Sequence, residues 1–282
     1  MPSFKIWPRS LIHCLAILLI CGTVAQCELQ KDIEYGRAGD VILKLDASVP
    51  EGAGPFPAVI IVHGGGFTGG NKQMYVTHMF DPLTQAQFVW FSIDYRLAPQ
   101  YKFPAAVEDV DRAIEFVKSH AAQFKVDPRR IALLGESAGG YMVSYVGTQN
   151  EEKWHVAAVV SFYGPHNLTG EYEMRTHAGV KPSALTAFLG ITTFDGNAFA
   201  LLKKNSPINL VRKGMPPYLL VHGSKDTVVD YQQSVDMCAR LKEAGNACEL
   251  YTVEGGKHGM DNWEDTPAYK QKVVEWLQET LH

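Results

Sequence analysis

Two spacings of apolar residues alternate along this chain. Ala58-Val-Ile-Ile-Val62, Phe88 to Ile93, Ile131 to Leu134, Val156 to Phe162, Pro217 to Val221 and Cys248 to Val253 are short runs of strand length. The first is apolar on both faces, which places it in the middle of a parallel sheet. Between such runs, Phe103 to Phe124 carries Val107, Val110, Ile114 and Val117 at helical spacing, with acids early and Lys118 and His120 late, as the helix dipole favours. Tyr231 to Ala244 and the chain from about Thr266 predict two more helices, and Ala138 opens another. From Ala58 to the end the order is strand, helix, strand. That order predicts an α/β fold, one open sheet covered on both faces and joined by right-handed crossovers.

Two regions depart from this rhythm. Asp32 to Tyr35 and Val41 to Leu45 predict two short leading strands, followed by the Pro/Gly-rich connection Pro50-Glu-Gly-Ala-Gly-Pro-Phe-Pro57. Between Pro165 and Arg212 the alternation breaks, with helices expected around Ala184 to Leu189 and Asn197 to Lys203. An insertion of this size, 165–212, is expected to form a small cap over the functional face of the sheet. No repeat, low-complexity stretch or second domain boundary interrupts the rest.

Candidate chemistry gathers where the predicted strands end. Gly135-Glu-Ser137-Ala-Gly139 sits between a strand and a helix, the pattern of a tight turn that leaves the serine projecting at a helix N-terminus. His63-Gly-Gly-Gly-Phe67 also follows a buried strand. It reads as a flexible loop on its own. Beside the serine turn it reads as an oxyanion hole, with Gly65 and Gly66 N–H groups completed by that of Ala138. A serine hydroxyl needs a base, and the base needs an acid to fix its tautomer. His258, among Gly255, Gly256 and Gly259 after the last strand, is the candidate base. Asp226, directly after the strand-ending Gly223-Ser-Lys225, is the candidate acid; Asp230, the alternative, reads as a first-turn helix acid. His63 and His222 are expected to brace their loops, and Asp94 and Arg96 to form a structural ion pair or turn anchor. A histidine base predicts activity that rises as the imidazole loses its proton.

Composition narrows the class. At 282 residues, 46% hydrophobic and 20% charged, the chain is long enough to bury its own core and shows no sign of disorder. A formal charge of −4 with no basic cluster argues against nucleic acid as a partner. The cysteine spacings do not resemble a zinc site, and no cofactor or metal is expected.

Lys5 and Arg9 precede the apolar run Leu11 to Ile20, and small residues follow at Thr23-Val-Ala25. This predicts a signal peptide over 1–25 with cleavage near Ala25, and a secreted or periplasmic domain over 26–282 without stable membrane insertion. Export strands Cys27 near the new terminus. It leaves Cys238 and Cys248 either as a disulfide tying a helix end to the next strand or as two buried thiols. Asn167-Leu-Thr169 is a sequon for N-glycosylation.

Four motifs in order, His63-Gly-Gly-Gly-Phe67, Asp94-Tyr-Arg-Leu-Ala-Pro99, Phe103-Pro-Ala-Ala-Val-Glu-Asp109 and Gly135-Glu-Ser-Ala-Gly-Gly140, resemble the hormone-sensitive-lipase-like branch of the α/β-hydrolases. With Ser206-Pro207 and a short insertion, the chain is similar to the small secreted acetyl and feruloyl esterases of that branch. The resemblance implies an eight-stranded, mostly parallel sheet and carboxylic ester hydrolysis. It assigns Ser137 as nucleophile, His258 as base, Asp226 as acid, and Gly65, Gly66 and Ala138 as oxyanion donors. The branch's large N-terminal cap is expected to be absent, since little chain precedes the first predicted strands. The expected substrate is a short-chain or carbohydrate-linked ester. The rival readings are an amidase, formamidase or peptidase on the same triad, and a non-catalytic binding protein on this fold.

Overall fold

The computed structural model describes residues 27–149 and 155–282, together with Ser3 and Lys153. Apart from Ser3, the predicted leader lies outside the described residues. Eight strands form one sheet: β1 (Cys27–Ala38), β2 (Val41–Pro50), β3 (Phe56–Val62), β4 (Val89–Ile93), β5 (Val126–Glu136), β6 (Ala158–Phe162), β7 (Tyr218–Gly223) and β8 (Cys248–Val253). Their spatial order is β1-β2-β4-β3-β5-β6-β7-β8. β1 and β2 run antiparallel, and β2 runs antiparallel to β4; every later pairing is parallel.

The helices are α1 (Phe80–Gln85), α2 (Ala105–Ser119), α3 (Ala138–Gly147), α4 (Leu168–His177), α5 (Ser183–Leu189), α6 (Gly196–Lys204), α7 (Gln232–Glu243) and α8 (Ala268–Thr280). Period-two alternation sorts each central strand between two cores. Ala58, Ile60 and Val62 of β3 join α2, α3 and α7 on one face, while Val59 and Ile61 join Leu83 of α1 and Val273 and Leu277 of α8 on the other. Each fully buried aliphatic side chain contributes about 1.5–3 kcal/mol. The sheet is therefore the rigid base from which the strand-end loops project.

Several expectations need revising. The first two strands are longer than the alternation suggested, because β2 is buried continuously from Leu45 to Pro50 between β1 and β4. The helix expected over Phe103 to Phe124 is the shorter α2, and α1 and α4 were not expected. Asp94 and Arg96 do anchor structure, but not each other. Arg96 grips the fully buried Asp109 through Nε (2.8 Å) and Nη2 (2.9 Å), while Asp94 accepts the Lys72 N–H at 2.8 Å. Lys72 Nζ also lies 3.0 Å from Asp32 and 3.5 Å from Asp46. Cys238 and Cys248 form a disulfide with Cα atoms 5.6 Å apart. Cys238 sits inside α7 rather than at its end, so the bridge clamps the helix body to β8.

Candidate active site

The serine turn is built from close approaches. At Gly135 a Cβ would overlap the Gly139 carbonyl, and at Gly139 it would overlap that of Val62. Only glycine fits either place, so strand and helix meet with nothing between them. Ser137 takes a φ of 53°, a left-handed conformation disfavoured for a residue with a side chain. Its N–H donates to Phe162 O at 2.9 Å, tying the turn to the neighbouring strand. Ala138 is the first residue of α3, where its N–H has no acceptor within the helix.

Ser137, Asp226 and His258 meet in space although 121 residues separate the first from the last. His258 Nε2 is 3.0 Å from Ser137 Oγ, and His258 Nδ1 is 2.6 Å from Asp226 Oδ2. The carboxylate's other oxygen, Oδ1, accepts the N–H groups of Val228 (2.8 Å) and Val229 (3.0 Å). Burial alone would raise the pKa of Asp226. Hydrogen bonds from His222, from His258 and from the Val229 N–H outweigh it and hold the carboxyl well below the usual range, so the acid is ionised throughout the neutral range. Asp230 lies outside this cluster: its Oδ1 accepts the N–H of Gln232, the first residue of α7, at 2.9 Å.

Opposite the serine, Gly65 closes a tight turn in which its carbonyl accepts the N–H groups of Thr68 and Gly69. Its φ of 102° and the overlap a Cβ would make with Gly69 O require glycine there. The N–H groups of Gly65 and Gly66 have no acceptor among the described residues. Both border one cavity with Ser137, and Gly66 borders a second with it. Behind this loop, Glu136 is buried, accepts the Gly64 N–H and hydrogen-bonds Tyr163; burial raises its pKa against both partners. Tyr163 in turn meets the His258 ring edge-on at 4.6 Å and accepts the Met260 N–H at 3.2 Å. Glu136 thus joins the serine turn, the glycine loop and the histidine loop.

The two other strand-end histidines brace loops, as expected. His63 stacks on Tyr95 at 4.2 Å with Nδ1 2.7 Å from Gly64 O, and burial lowers its pKa to about 4. His222 reaches Ser234 and Val229, and it also comes within 3.3 Å of Asp226, which its expected role did not include.

Two cavities adjoin Ser137. One of about 100 Å³ lies between Phe67, Ala138, Glu171, Pro182 and Leu185. The other, about 400 Å³ and open to solvent, is bordered by Tyr75, Val228, His258 and Asn262. Arg175 borders both. Its Nε donates to Glu171 Oε1 at 2.5 Å and its Nη2 to Val228 O at 2.9 Å, which pins α4 to the loop holding Asp226. Burial raises the Glu171 carboxyl pKa, and Arg175 opposes it. Neither residue stood out in the sequence, because α4 was not expected; their only signal is acid–base spacing of four residues.

Residues 45–241 match the BD-FAE family, which is 197 of the 282 residues. The chain belongs to that family. BD-FAE proteins have the α/β-hydrolase fold and lie in its hormone-sensitive-lipase-like branch. Among relatives, the chain is 29% identical to esterase LipC of Mycobacterium tuberculosis over 73% of its own length and 54% of LipC. It is 28% identical to esterase LipQ of the same organism, over 82% of this chain and 57% of LipQ. The chain thus spans about half the length of these relatives. Among solved structures it is similar to a truncated carbohydrate esterase from gut microbiota, with a TM-score of 0.76 and 28% identity, over 90% of this chain and 96% of that one. It is also similar to an acetyl ester-xyloside bifunctional hydrolase from Caldicellulosiruptor lactoaceticus, with a TM-score of 0.75 and 25% identity, over 92% and 98%. Among the described residues no group of His, Cys, Asp and Glu could hold a metal ion, and no helix is long and apolar enough to cross a membrane.

Proposed function

We propose that this BD-FAE protein is a serine carboxylesterase of short acyl, carbohydrate-linked esters. The observation that carries the reading is the unbroken line of contacts from Ser137 Oγ through His258 to Asp226, at 3.0 and 2.6 Å. Ser137 Oγ attacks the ester carbonyl as His258 Nε2 takes its proton. Asp226 holds the ring with Nδ1 protonated and balances the imidazolium. The N–H groups of Gly65, Gly66 and Ala138 receive the oxyanion. His258 then protonates the leaving alcohol, and a water, deprotonated by the same nitrogen, frees the acyl group from Ser137.

Proton delivery sorts the two cavities. The leaving alcohol must lie against His258, so it occupies the open cavity that His258 borders; the acyl group takes the smaller one, of about 100 Å³. That volume suits an acetyl or similarly short chain. The open side suits a bulky alcohol such as a sugar, in keeping with the carbohydrate and acetyl ester–xyloside activities named for two structural relatives. Segment 165–212 acts as the cap that closes the acyl side, and residues 1–25 act as a signal for export of the domain over 26–282.

Hydrolysis of p-nitrophenyl acetate by the wild type and by Ser137→Ala tests the reading. The wild type should turn over, and the variant should lose roughly 10⁴-fold or more in kcat. Lengthening the acyl chain to octanoate should reduce kcat/KM steeply, and a nitroanilide panel separates esterase from amidase. Equal turnover by Ser137→Ala would end the proposal.

A further inference from the structure

We propose that His222 is a positioning residue of the triad, a neutral ring whose Nε2–H steadies the carboxylate that orients His258. The inference rests on the esterase reading above and deepens it.

His222 is fully buried near the end of β7, four residues before Asp226. Its Nδ1 lies 2.7 Å from Ser234 Oγ in α7. Its Nε2 faces two acceptors, Val229 O at 3.1 Å and Asp226 Oδ2 at 3.3 Å. Neither acceptor offers a proton, so Nε2 must carry one. In the neutral ring proposed here Nδ1 then accepts the Ser234 hydroxyl proton, which fixes the tautomer from both sides.

The consequence falls on Asp226. Each of its oxygens meets two donors: Oδ1 takes the Val228 and Val229 N–H groups, while Oδ2 meets the Nε2–H of His222 and the Nδ1–H of His258. Val229 is bound twice, its N–H on the carboxylate and its carbonyl on His222. The carboxylate plane is therefore locked to the loop and to the helix behind it. A second effect is electrostatic, because the positive end of the His222 N–H dipole points at the oxygen His258 uses. It tempers the pull of Asp226 on the His258 proton and so keeps the base able to release it. The other titratable groups around His222 are His166, Tyr163 and Tyr231. His166 is buried, with neither ring nitrogen bonded to another described residue, and burial depresses its pKa to about 3. It stays uncharged and does not compete for Asp226.

The decisive comparison is His222→Met, which fills the space without a donor, against His222→Gln, whose amide can place N–H near the Nε2 position. The readouts are kcat/KM against pH with p-nitrophenyl acetate and the rate of fluorophosphonate labelling of Ser137. His222→Met should lose about tenfold in kcat/KM, a hydrogen bond's worth of orientation, and its acid limb should move to higher pH because His258 holds its proton more tightly. His222→Gln should recover at least half of the logarithmic loss and return the limb towards the wild-type position. Should His222→Met not fold, Ser234→Ala keeps the ring and removes only the tautomer lock. It should lower kcat/KM by about threefold, consistent with losing part of one hydrogen bond.

An acid limb unchanged in folded His222→Met, or a His222→Gln enzyme no better than His222→Met, would overturn the proposal, as would an unaffected Ser234→Ala enzyme where His222→Met is unfolded. Wild-type protein that neither hydrolyses the ester nor takes the label would instead refute the esterase reading itself.

Discussion

The serine turn and the 165–212 segment face each other across one small cavity, yet they are held in place by different physics. On the sheet side, Gly135 and Gly139 let backbones touch, and Ser137 sits in a strained conformation that the surrounding strands enforce. On the other side, short helices are fastened by rings and isolated polar contacts. Phe188 of α5 stacks on Phe67 at 4.0 Å, Tyr172 of α4 stacks on Phe194 at 3.6 Å, and Arg175 reaches Val228 O. A sheet whose hydrogen bonds run through eight strands resists local change. An insertion resting on a few rings can vary without disturbing it. On the proposed esterase reading, reaction chemistry and substrate choice occupy separate structural layers, so mutations should separate them.

The largest expected effect sharpens that contrast. Phe188→Ala removes the ring between Phe67, Phe103 and Tyr141, and should cost about 3–5 kcal/mol of stability. Thermal unfolding measures it. The acyl-length profile should broaden as Phe67, which lines the small cavity, loses the ring stacked behind it, while the enzyme that remains folded still labels at Ser137. A variant that keeps a narrow profile would break the division between layers. Gly65→Ala acts on the other layer. Its Cβ would overlap Gly69 O, displace the N–H groups aimed at the oxyanion and cost about 10²–10³ in kcat with the acyl profile unchanged.

Replacing Cys238 with Ser should come next, at about 2–3 kcal/mol on the chain-entropy view. The bridge joins α7 to β8 away from both cavities, so urea unfolding should move to lower concentration with kcat retained. The smallest effect concerns Asp111 in α2, whose carboxyl is pushed up to about 7 by burial, against the Gln149 hydrogen bond. The folded state holds that proton at pH values where the unfolded chain, titrating near 3.9, has released it. Its stabilisation is complete below about pH 4 and is lost as pH rises through 7. Asp111→Asn should therefore unfold on the order of 3 °C higher than wild type at pH 8 and show little gain at pH 4, by scanning calorimetry.

The same contrast explains what could be read in the sequence. β3, β7 and the Ile131–Leu134 part of β5 were legible because strand segments buried on both faces must be apolar, whereas the polar start of β5 from Val126 was not, and Ser137, Asp226 and His258 were legible because glycines and strand ends mark them. α4 was not, because only Leu168 and Glu171 of its ten residues are buried, which leaves almost no apolar stripe. With α4 went Arg175. The partners of Asp94 and Arg96 were hidden for another reason: Lys72 and Asp109 lie 22 and 13 residues away, and charge alone does not name its partner across such distances. The His222 contact with Asp226 depends on the turn between them, which the spacing of four residues leaves open. The choice between a disulfide and two thiols at Cys238 and Cys248 needed the 5.6 Å separation of their Cα atoms.

Rapid quenching of the enzyme during p-nitrophenyl acetate turnover, followed by peptide mass spectrometry, tests the central claim most directly. The account predicts a single acetyl group on the peptide carrying Ser137, formed in a burst and absent when His258 is replaced by Ala. Ester turnover with no acetyl on Ser137, or with the acetyl on another residue, would contradict it.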